Sequence, residues 1–396
     1  MPPDAARDLQ QPSWDARAAE AERSVTTLFG ARLAGMPFTH LARTGHPVRG
    51  RVDTPWHYWW QAHYLDAIVD AGLRCLRLGD PAGARARARR GDRLVRTIRL
   101  RNRVRWVNDY YDDMAWLALA SGRLALLHTA LGRVRPQRRL RTAERDLTRQ
   151  LHSALTDELG GGLYWNVERD FKNVPASAPA ALHLARLGQT DEARAIVDWL
   201  YARLWSAESG LFLDGVRLAP TSTQTSGLPR PSAARTEVVV PDLWSYNQGT
   251  VLGALVTLGD EQSLRRASDL VAAVSDRLTT ESDGIRLLRT HGGGDGGLFT
   301  GILGRYLALA ATTGGLALGA RAAAGALVTS TADALWHGRD LRGRDHATAV
   351  SVWSPDPDVA ARVGQPPGAR IELSTQVQAW TLLEAAASVT GISRGR

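Results

Sequence analysis

Apolar residues recur at intervals of three and four positions through most of the chain, a spacing that predicts amphipathic α-helices. An Arg-rich stretch near residues 84–99 is a further helical candidate. Alternating β-type runs are scarce, and the best candidate strand is the short run TEVVV at residues 236–240. The pattern therefore predicts an all-α protein. The predicted helices span residues 15–29, 56–77, 112–131, 142–159, 178–187, 191–205, 247–259, 261–278, 296–313, 319–336 and 375–389.

The connections between these segments are loops rich in Gly, Pro and Ser. The longest is polar and follows Pro220, yet the sequence on both sides of it has the same character. No fixed repeat of about 34 or 40 residues appears, which disfavours a solenoid of helical repeats. We expect one domain over residues 1–396 that forms a toroid of helical hairpins, with a flexible N-terminus at residues 1–13. In such a toroid the inner helices line a funnel, and functional residues fall where helices begin or end.

The composition narrows the classes of function. With 44% apolar and 22% charged residues, the chain resembles a soluble globular protein. The net charge is +9, and Lys172 is the single Lys beside 48 Arg, a bias typical of a GC-rich genome. The densest basic run, residues 83–106, has few aromatics to stack bases and no helix-turn-helix, zinc-finger or RNP-like pattern. We therefore expect no nucleic-acid partner.

The number of cysteines limits the possible disulfides and metal sites, and the hydropathy of the chain indicates its cellular location. The single cysteine, Cys75, excludes an internal disulfide and any multi-cysteine metal site, and it lies in an apolar run typical of a buried small side chain. No stretch approaches the roughly 20 apolar residues of a membrane span. The N-terminus has no apolar signal region, so the sequence as given reads as cytoplasmic, or as secreted if a signal has been removed.

Two adjacent carboxylates begin an apolar helix in the stretch WVNDYYDDMAWLALA, residues 106–120. Asp112 and Asp113 could cap this helix, because Asp is favoured at helix N-termini. They could also be the pair of carboxyls that glycoside hydrolysis requires, one as the acid and one as the nucleophile or base. The surrounding rings would raise the pKa of one acid, and the helix N-terminus would keep the other ionised. Spacing alone leaves both interpretations open.

Other clusters suit a sugar-binding cleft. The 13 Trp residues could stack on sugar faces or fill a core. Gly160–Gly162 could allow close approach of backbone to a ligand, or simply cap a helix. Lys172 could supply a point donor where a guanidinium would not fit. Residues 246–248, Tyr-Asn-Gln, offer donors and acceptors for sugar hydroxyls but also a helix cap.

The sequence gives no support for a nucleotide site, a metal site or a Ser or Cys nucleophile. The stretch HGGGDGGLF at residues 291–299 follows no predicted strand and lacks a Gly-Lys-Ser/Thr ending, so we reject it as a phosphate loop. His57 and His63 are six residues apart and do not share a helical face, which argues against a metal pair. No Gly-x-Ser-x-Gly motif occurs.

Four stretches in order resemble glycoside hydrolase family 76, the endo-α-1,6-mannanases. They are NDYYDDMAWLALA, then LGGGLYWN with FKN, then WSYNQGTVLGAL, and LFTGILGRYL, together spanning about 200 residues. Two positions depart from the family pattern: Met114 stands where Glu is frequent, and Thr300 stands where Lys is usual. The opening WHYWWQAH resembles an actinobacterial subgroup, which suggests an envelope mannan such as lipomannan as the glycan.

The resemblance implies an (α/α)₆ toroid and retaining hydrolysis of α-1,6-linked mannan. We expect a monomer that acts without metal or organic cofactor. It implies Asp112 as nucleophile and Asp113 as acid/base. Two alternatives stay open: a lyase or uronyl hydrolase of the same fold, and a mannan-binding protein that has lost turnover. The expected substrate-binding residues are Trp60, Gln61, Asn108, Asp109, Tyr111, Trp116, Gly161, Gly162, Trp165, Lys172, Asn173, Tyr246, Asn247 and Gln248.

Overall fold

A computed structural model describes residues 11–48, 56–134, 137–220, 235–343 and 348–393. Residues 1–10 of the predicted flexible N-terminus and residues 221–234 of the predicted polar loop lie outside these ranges. The helices of the described chain are α1 (Trp14–Phe29), α2 (Tyr58–Arg77), α3 (Pro81–Arg101), α4 (Tyr111–Ala130), α5 (Arg138–Ala154), α6 (Val174–Arg186), α7 (Thr190–Arg203), α8 (Ser245–Leu258), α9 (Glu261–Arg277), α10 (Gly296–Thr312), α11 (Leu318–Gly338), α12 (Ala361–Gly364) and α13 (Leu373–Ser393).

Six helices form a closed inner ring. Going round it, α2 packs on α4, α4 on α6, α6 on α8, α8 on α10, α10 on α13, and α13 returns to α2. Each inner helix also packs on an outer helix. Five of these pairs are neighbours in the chain: α3 on α2, α5 on α4, α7 on α6, α9 on α8 and α11 on α10. In the sixth pair the first helix, α1, packs on the last, α13. This arrangement confirms the predicted (α/α)₆ toroid. The short helix α12 lies outside the two rings.

The hydrophobic pattern separates inner from outer helices. On the outer helix α5 the buried residues Leu140, Ala143, Leu147 and Leu151 follow one another at intervals of three and four, which gives one apolar stripe. The inner helix α8 is buried almost continuously, because neighbours cover it on every side. All eleven predicted periodic segments and the Arg-rich stretch form helices, with ends that shift by a few residues.

Capping residues and backbone conformation explain why some helices begin or end at other residues than predicted. Helix α6 begins at Val174, four residues before the predicted start, because Asn173 caps it and Pro175 sits in its first turn. Helix α5 ends at Ala154 instead of Leu159, and Leu159 adopts a left-handed conformation with φ 58°. The segment after α5 then runs to the start of α4, where Asn166 forms a bridge with Tyr110.

The strands are short and connect the helices. The predicted run at residues 236–240 is confirmed as part of β8, in an antiparallel three-stranded sheet ordered β4-β7-β8. The strands of the described chain are β1 (Gly30–Ala31), β2 (Leu41–Ala42), β3 (Gly45–His46), β4 (Phe171–Asn173), β5 (Trp205–Ser206), β6 (Leu211–Phe212), β7 (Gly215–Pro220), β8 (Arg235–Val240), β9 (Thr279–Ser282), β10 (Ile285–Leu288), β11 (Asp340–Arg342), β12 (Val350–Val352) and β13 (Ile371–Glu372).

No described helix is long and apolar enough to cross a membrane.

Candidate active site

A cavity of about 640 Å³ opens where the inner helices α2, α4, α6, α8 and α10 begin. Four carboxyl groups and a wall of aromatic rings line it, so it combines acids with flat apolar faces. Tyr246 and Phe299 stack with ring centroids 3.9 Å apart and form one continuous face. The lining residues are Asp112, Asp113, Asp214, Asp295, His57, Tyr58, Trp59, Tyr110, Trp116, Trp165, Phe171, Tyr246, Phe299, Asn173 and Arg217.

The adjacent carboxyls Asp112 and Asp113 occupy the first turn of α4. Asp112 Oδ1 accepts a hydrogen bond from the Asp113 backbone N–H at 2.9 Å, and its Oδ2 accepts from the Trp165 indole N–H at 3.0 Å. Asp113 Oδ2 accepts from the Asn108 amide at 2.5 Å. Asp112 thus caps a free backbone N–H of the helix and faces the cavity as well. The two interpretations of the pair are compatible.

Backbone contacts fix the start of α4. The N–H of Tyr111 donates to the carbonyl of Trp165 at 2.8 Å, and the N–H of Val167 donates to the carbonyl of Asp109 at 3.0 Å. Tyr110 forms an isolated antiparallel bridge with Asn166 in the same place. The Gly-Gly-Gly-Leu-Tyr-Trp-Asn segment therefore holds the first turn of α4 and places the Trp165 indole over Asp112.

The two carboxyls differ in pKa. Burial raises the pKa of Asp112 to about 7, against the lowering effect of its hydrogen bonds. Burial and the neighbouring charge of Asp112 raise the pKa of Asp113 well above its ordinary value, against the Asn108 hydrogen bond. Asp112 accepts two hydrogen bonds and Asp113 accepts one, so the surroundings favour the negative charge of the pair on Asp112 and its proton on Asp113. This is the distribution that a nucleophile beside a general acid requires.

Two further carboxyls in the cavity were not predicted from the sequence. Asp214 lies between β6 and β7, where Asn247 donates to it at 3.1 Å and burial raises its pKa to about 6. Asp295 precedes α10, and its Oδ1 accepts from the indoles of Trp59 at 3.2 Å and Trp60 at 2.8 Å. Asp295 lies in the Gly-rich stretch at residues 291–299, and its position directly before a predicted helix is the sequence signal for it.

The structure divides the predicted substrate-binding residues into two groups. Trp116, Trp165, Asn173 and Tyr246 line the cavity beside the Asp pair. The others lie outside its lining, and several of them hold residues that do line it. Asn108 and Asn247 donate hydrogen bonds to the carboxyls of Asp113 and Asp214. The backbone of Tyr111 donates to that of Trp165, and Trp60 donates to Asp295 and stacks on His57. Asp109 is exposed, and its carbonyl receives the Val167 N–H.

The two predicted glutamines lie fully buried beneath the cavity. Gln61 accepts from the Ala42 N–H at 2.9 Å and donates to the Ala42 carbonyl at 2.8 Å. Gln248 pairs in the same way with the N–H and carbonyl of Phe212, at 2.9 and 2.8 Å. Each amide therefore completes the backbone hydrogen bonding of a short strand and anchors it to an inner helix.

Lys172 and the glycine run also make their contacts with other parts of the protein. The Lys172 ammonium is fully buried and donates to the carbonyls of Thr156, Glu158 and Gly161 at 2.7, 2.6 and 2.8 Å, and to the Thr156 hydroxyl at 2.9 Å. Gly162 has φ 72°, and a Cβ there would lie 2.4 Å from the Trp199 ring. A Cβ at Gly161 would lie 3.0 Å from the same ring, so these glycines allow the loop to pack on Trp199.

The raised pKa of Asp113 leads to a prediction about stability. An Asp that keeps its proton in the folded state and loses it in the unfolded state costs stability as pH rises above the unfolded pKa. Asp113→Asn mimics the protonated acid and can still accept from Asn108. We expect Asp113→Asn to raise the Tm by a few degrees at pH 8 and to leave it unchanged near pH 4, as measured by scanning calorimetry.

The exposed Asp109→Asn provides the matched control, because it makes the same substitution four residues earlier without changing a buried group. We expect its Tm to follow that of the wild type at both pH values. A lower Tm for Asp113→Asn at pH 8 would instead indicate that Asp113 mainly stabilises the helix N-terminus as an anion.

Comparisons with known proteins agree with this architecture. A family model described as Glycosyl hydrolase family 76 matches residues 34–389. No curated protein sequence matches the chain significantly. An α-1,6-mannanase from Salegentibacter sp. HEL1_6 is 25% identical, with TM-score 0.75, over 95% of this chain and all of that one. An inactive variant of it, with two consecutive Asp residues changed to Asn, was solved with α-1,6-mannotriose at the same similarity and coverage. A mannosidase from Bacteroides thetaiotaomicron shares the fold at 15% identity and TM-score 0.70, over 97% of this chain and all of that one.

Proposed function

The chain belongs to glycosyl hydrolase family 76, and we propose that it cleaves α-1,6-mannosidic linkages in a mannan with retention of anomeric configuration. Asp112 attacks the anomeric carbon while Asp113 donates its proton to the leaving oxygen. The ionised Asp113 then removes a proton from water, which hydrolyses the glycosyl-enzyme. The observation that carries this proposal is the adjacent pair of carboxyls in the wall of the cavity, with Asp112 bound by the Trp165 indole and Asp113 by the Asn108 amide.

The chemistry of the remaining cavity supports a neutral sugar as the substrate. Asp214 and Asp295 present carboxylate oxygens held by Asn247 and by two indoles, and such acceptors suit sugar hydroxyls. The stacked pair of Tyr246 and Phe299 offers a flat face for a pyranose ring. The α-1,6-mannanase relatives at 25% identity, one of them holding α-1,6-mannotriose, support mannose and the 1,6 linkage.

Incubation with linear α-1,6-mannan and with lipomannan tests the proposal. We expect new reducing ends from one or both, and ¹H NMR of the first products should show the α-anomer before mutarotation. An α-1,3-linked mannan serves as the control for linkage. A first-formed β-anomer would contradict retention, an unsaturated product absorbing in the ultraviolet would identify a lyase, and binding without reducing ends would identify a protein that binds mannan without cleaving it.

A further inference from the structure

The outer helix α3 presents a stripe of exposed residues that is strongly basic. The stripe consists of Arg85, Arg89, Arg93, Arg96 and Leu100. They recur at intervals of three and four positions, which places them on one face of the helix. None of these arginines forms a salt bridge among the described residues. Glu22 of α1 binds Arg87 and Arg90 instead, and Asp92, the only acid of α3, bonds His128. The stripe therefore carries positive charge that the described chain leaves unbalanced.

A loop with exposed apolar side chains lies along one side of this stripe. The loop, residues 32–40, joins β1 to β2, and the N–H of His40 donates to the Thr97 hydroxyl of α3 at 2.9 Å. Phe38 is 67% exposed and Met36 is 42% exposed. Two large apolar side chains thus face water next to the arginines.

A third exposed apolar side chain lies on the other side of the stripe. Val104, in the loop that follows α3, is 55% exposed, and its carbonyl accepts from Arg99 Nε at 3.1 Å. At about 100° per residue, Arg96 of the stripe points between Thr97 and Arg99. The two loops therefore flank the C-terminal half of the stripe. The neighbours of Val104 in the chain are exposed arginines as well.

Both loops hold their apolar side chains outward through left-handed backbone. Phe38 has φ 59° and Val104 has φ 62°, a region that bulky and β-branched side chains avoid. The first loop is nevertheless tightly bonded, since the buried Thr39 hydroxyl accepts from the Leu33 N–H at 3.1 Å and donates to the Met36 carbonyl at 2.6 Å. Strained backbone that presents an apolar side chain to water points to a contact made outside the chain.

We propose that this face, formed by the α3 stripe and the loops at residues 32–40 and 102–106, docks on an anionic lipid membrane. The arginines bind the lipid phosphates, and the Phe38 and Val104 side chains enter the boundary between head groups and acyl chains. A nucleic acid or an acidic polysaccharide could also neutralise the arginines. Such a polymer gives Met36 and Val104 no apolar medium, which is why the observations favour a bilayer.

This basic face lies at the same end of the toroid as the candidate active site. The segment after Val104 leads directly to the cavity, because the Trp106 carbonyl accepts from the hydroxyl of Tyr58 at 2.5 Å and Tyr58 lines the cavity. Asn108, two residues further along, donates to Asp113. Docking therefore holds this end of the toroid next to the lipid surface. The membrane contact itself does not depend on which bond the enzyme cleaves.

Sedimentation with unilamellar vesicles at physiological ionic strength tests the proposal. We expect the wild type to bind vesicles of equimolar phosphatidylcholine and phosphatidylglycerol, and not vesicles of phosphatidylcholine alone. Each arginine at an anionic surface contributes about fivefold to binding, so Arg93→Gln combined with Arg96→Gln should weaken it at least about tenfold. Arg265→Gln combined with Arg277→Gln is the matched control, because these exposed arginines belong to α9, which packs on α8, opposite α2 in the inner ring. It should bind like the wild type.

The apolar part of the contact is tested separately by Phe38→Gly. Glycine removes the ring and accepts the left-handed backbone without strain, so the Tm from scanning calorimetry should not fall. Vesicle binding should nevertheless weaken by about tenfold, because the ring no longer leaves water. Val104→Gly should weaken binding in the same way, by a smaller factor.

Three results would overturn the proposal. The first is that the wild type does not bind the anionic vesicles, and the second is that the α9 control variant loses as much binding as the α3 variant. The third is binding that requires the arginines but is unchanged in Phe38→Gly and Val104→Gly. Together with competition by heparin, that third result would identify an acidic polymer as the partner in place of a membrane.

Discussion

Asp112→Ala should lower kcat/KM on α-1,6-mannan by at least about 10⁴-fold, because it removes the nucleophile of the proposed mechanism. The loss should be as large on an aryl α-mannoside whose dinitrophenolate leaves without protonation, since that substrate still needs a nucleophile. Steady-state kinetics on both substrates measure this. Added azide should restore turnover by attacking the anomeric carbon directly, which would give the β-mannosyl azide.

Asp113→Ala should separate the two substrates. On mannan the loss of the general acid should cost about 10²- to 10⁴-fold in kcat/KM, whereas the first step on the aryl mannoside should be nearly unaffected. Azide should then react with the glycosyl-enzyme and give the α-mannosyl azide. Opposite anomers from the two variants would thus assign the nucleophile and the acid/base individually.

Asp109→Ala serves as the matched control for both variants, because this exposed Asp precedes the same helix without facing the cavity. It should keep near-normal activity. Equal losses on both substrates for Asp113→Ala would contradict its role as general acid. Near-normal activity of Asp112→Ala on mannan would contradict the whole mechanism, and the pair would then be left with a capping role.

The helices were predictable because their signal is local. Three- and four-residue spacing of apolar residues requires only that one face of a helix be buried, and every predicted segment is helical. The (α/α)₆ arrangement followed from the family resemblance, and the ring of contacts from α2 to α13 confirms it. The short strands were missed because pairs of two to four residues depend on which distant segments meet, as in the pairing of β3 with β13.

The site was only partly predictable, because a sequence shows which polar side chains exist but not which groups they contact in the fold. Asp112 and Asp113 stood out as neighbours in an aromatic setting. Asp295 did not, since its two indole partners lie more than 230 residues earlier in the chain. Gln61 and Gln248 have the chemistry of sugar ligands, yet each pairs with one backbone N–H and two backbone carbonyls. Their predicted contact with substrate depended on orientation, which tertiary packing decides.

Lys172→Met should destabilise the protein by about 3 kcal/mol, because three backbone carbonyls that converge on the buried ammonium would lose a charged donor that methionine cannot replace. Lys172→Arg should also destabilise it, since a planar fork cannot direct its donors at carbonyls that converge on one point. The free energy of unfolding from urea titrations measures both effects. Arg169→Met, which removes an exposed cation near the same loop, is the control and should cost much less.

The same variant should reduce catalysis through the position of Trp165. Lys172 ties residues 156–161 together just before the segment that carries Trp165, whose indole donates to Asp112. If Lys172 acts by holding this loop, Lys172→Met should lower kcat more than it raises KM, and stability should fall with it. A raised KM with normal stability would instead show that Lys172 contacts the substrate, as its isolation among 48 arginines first suggested.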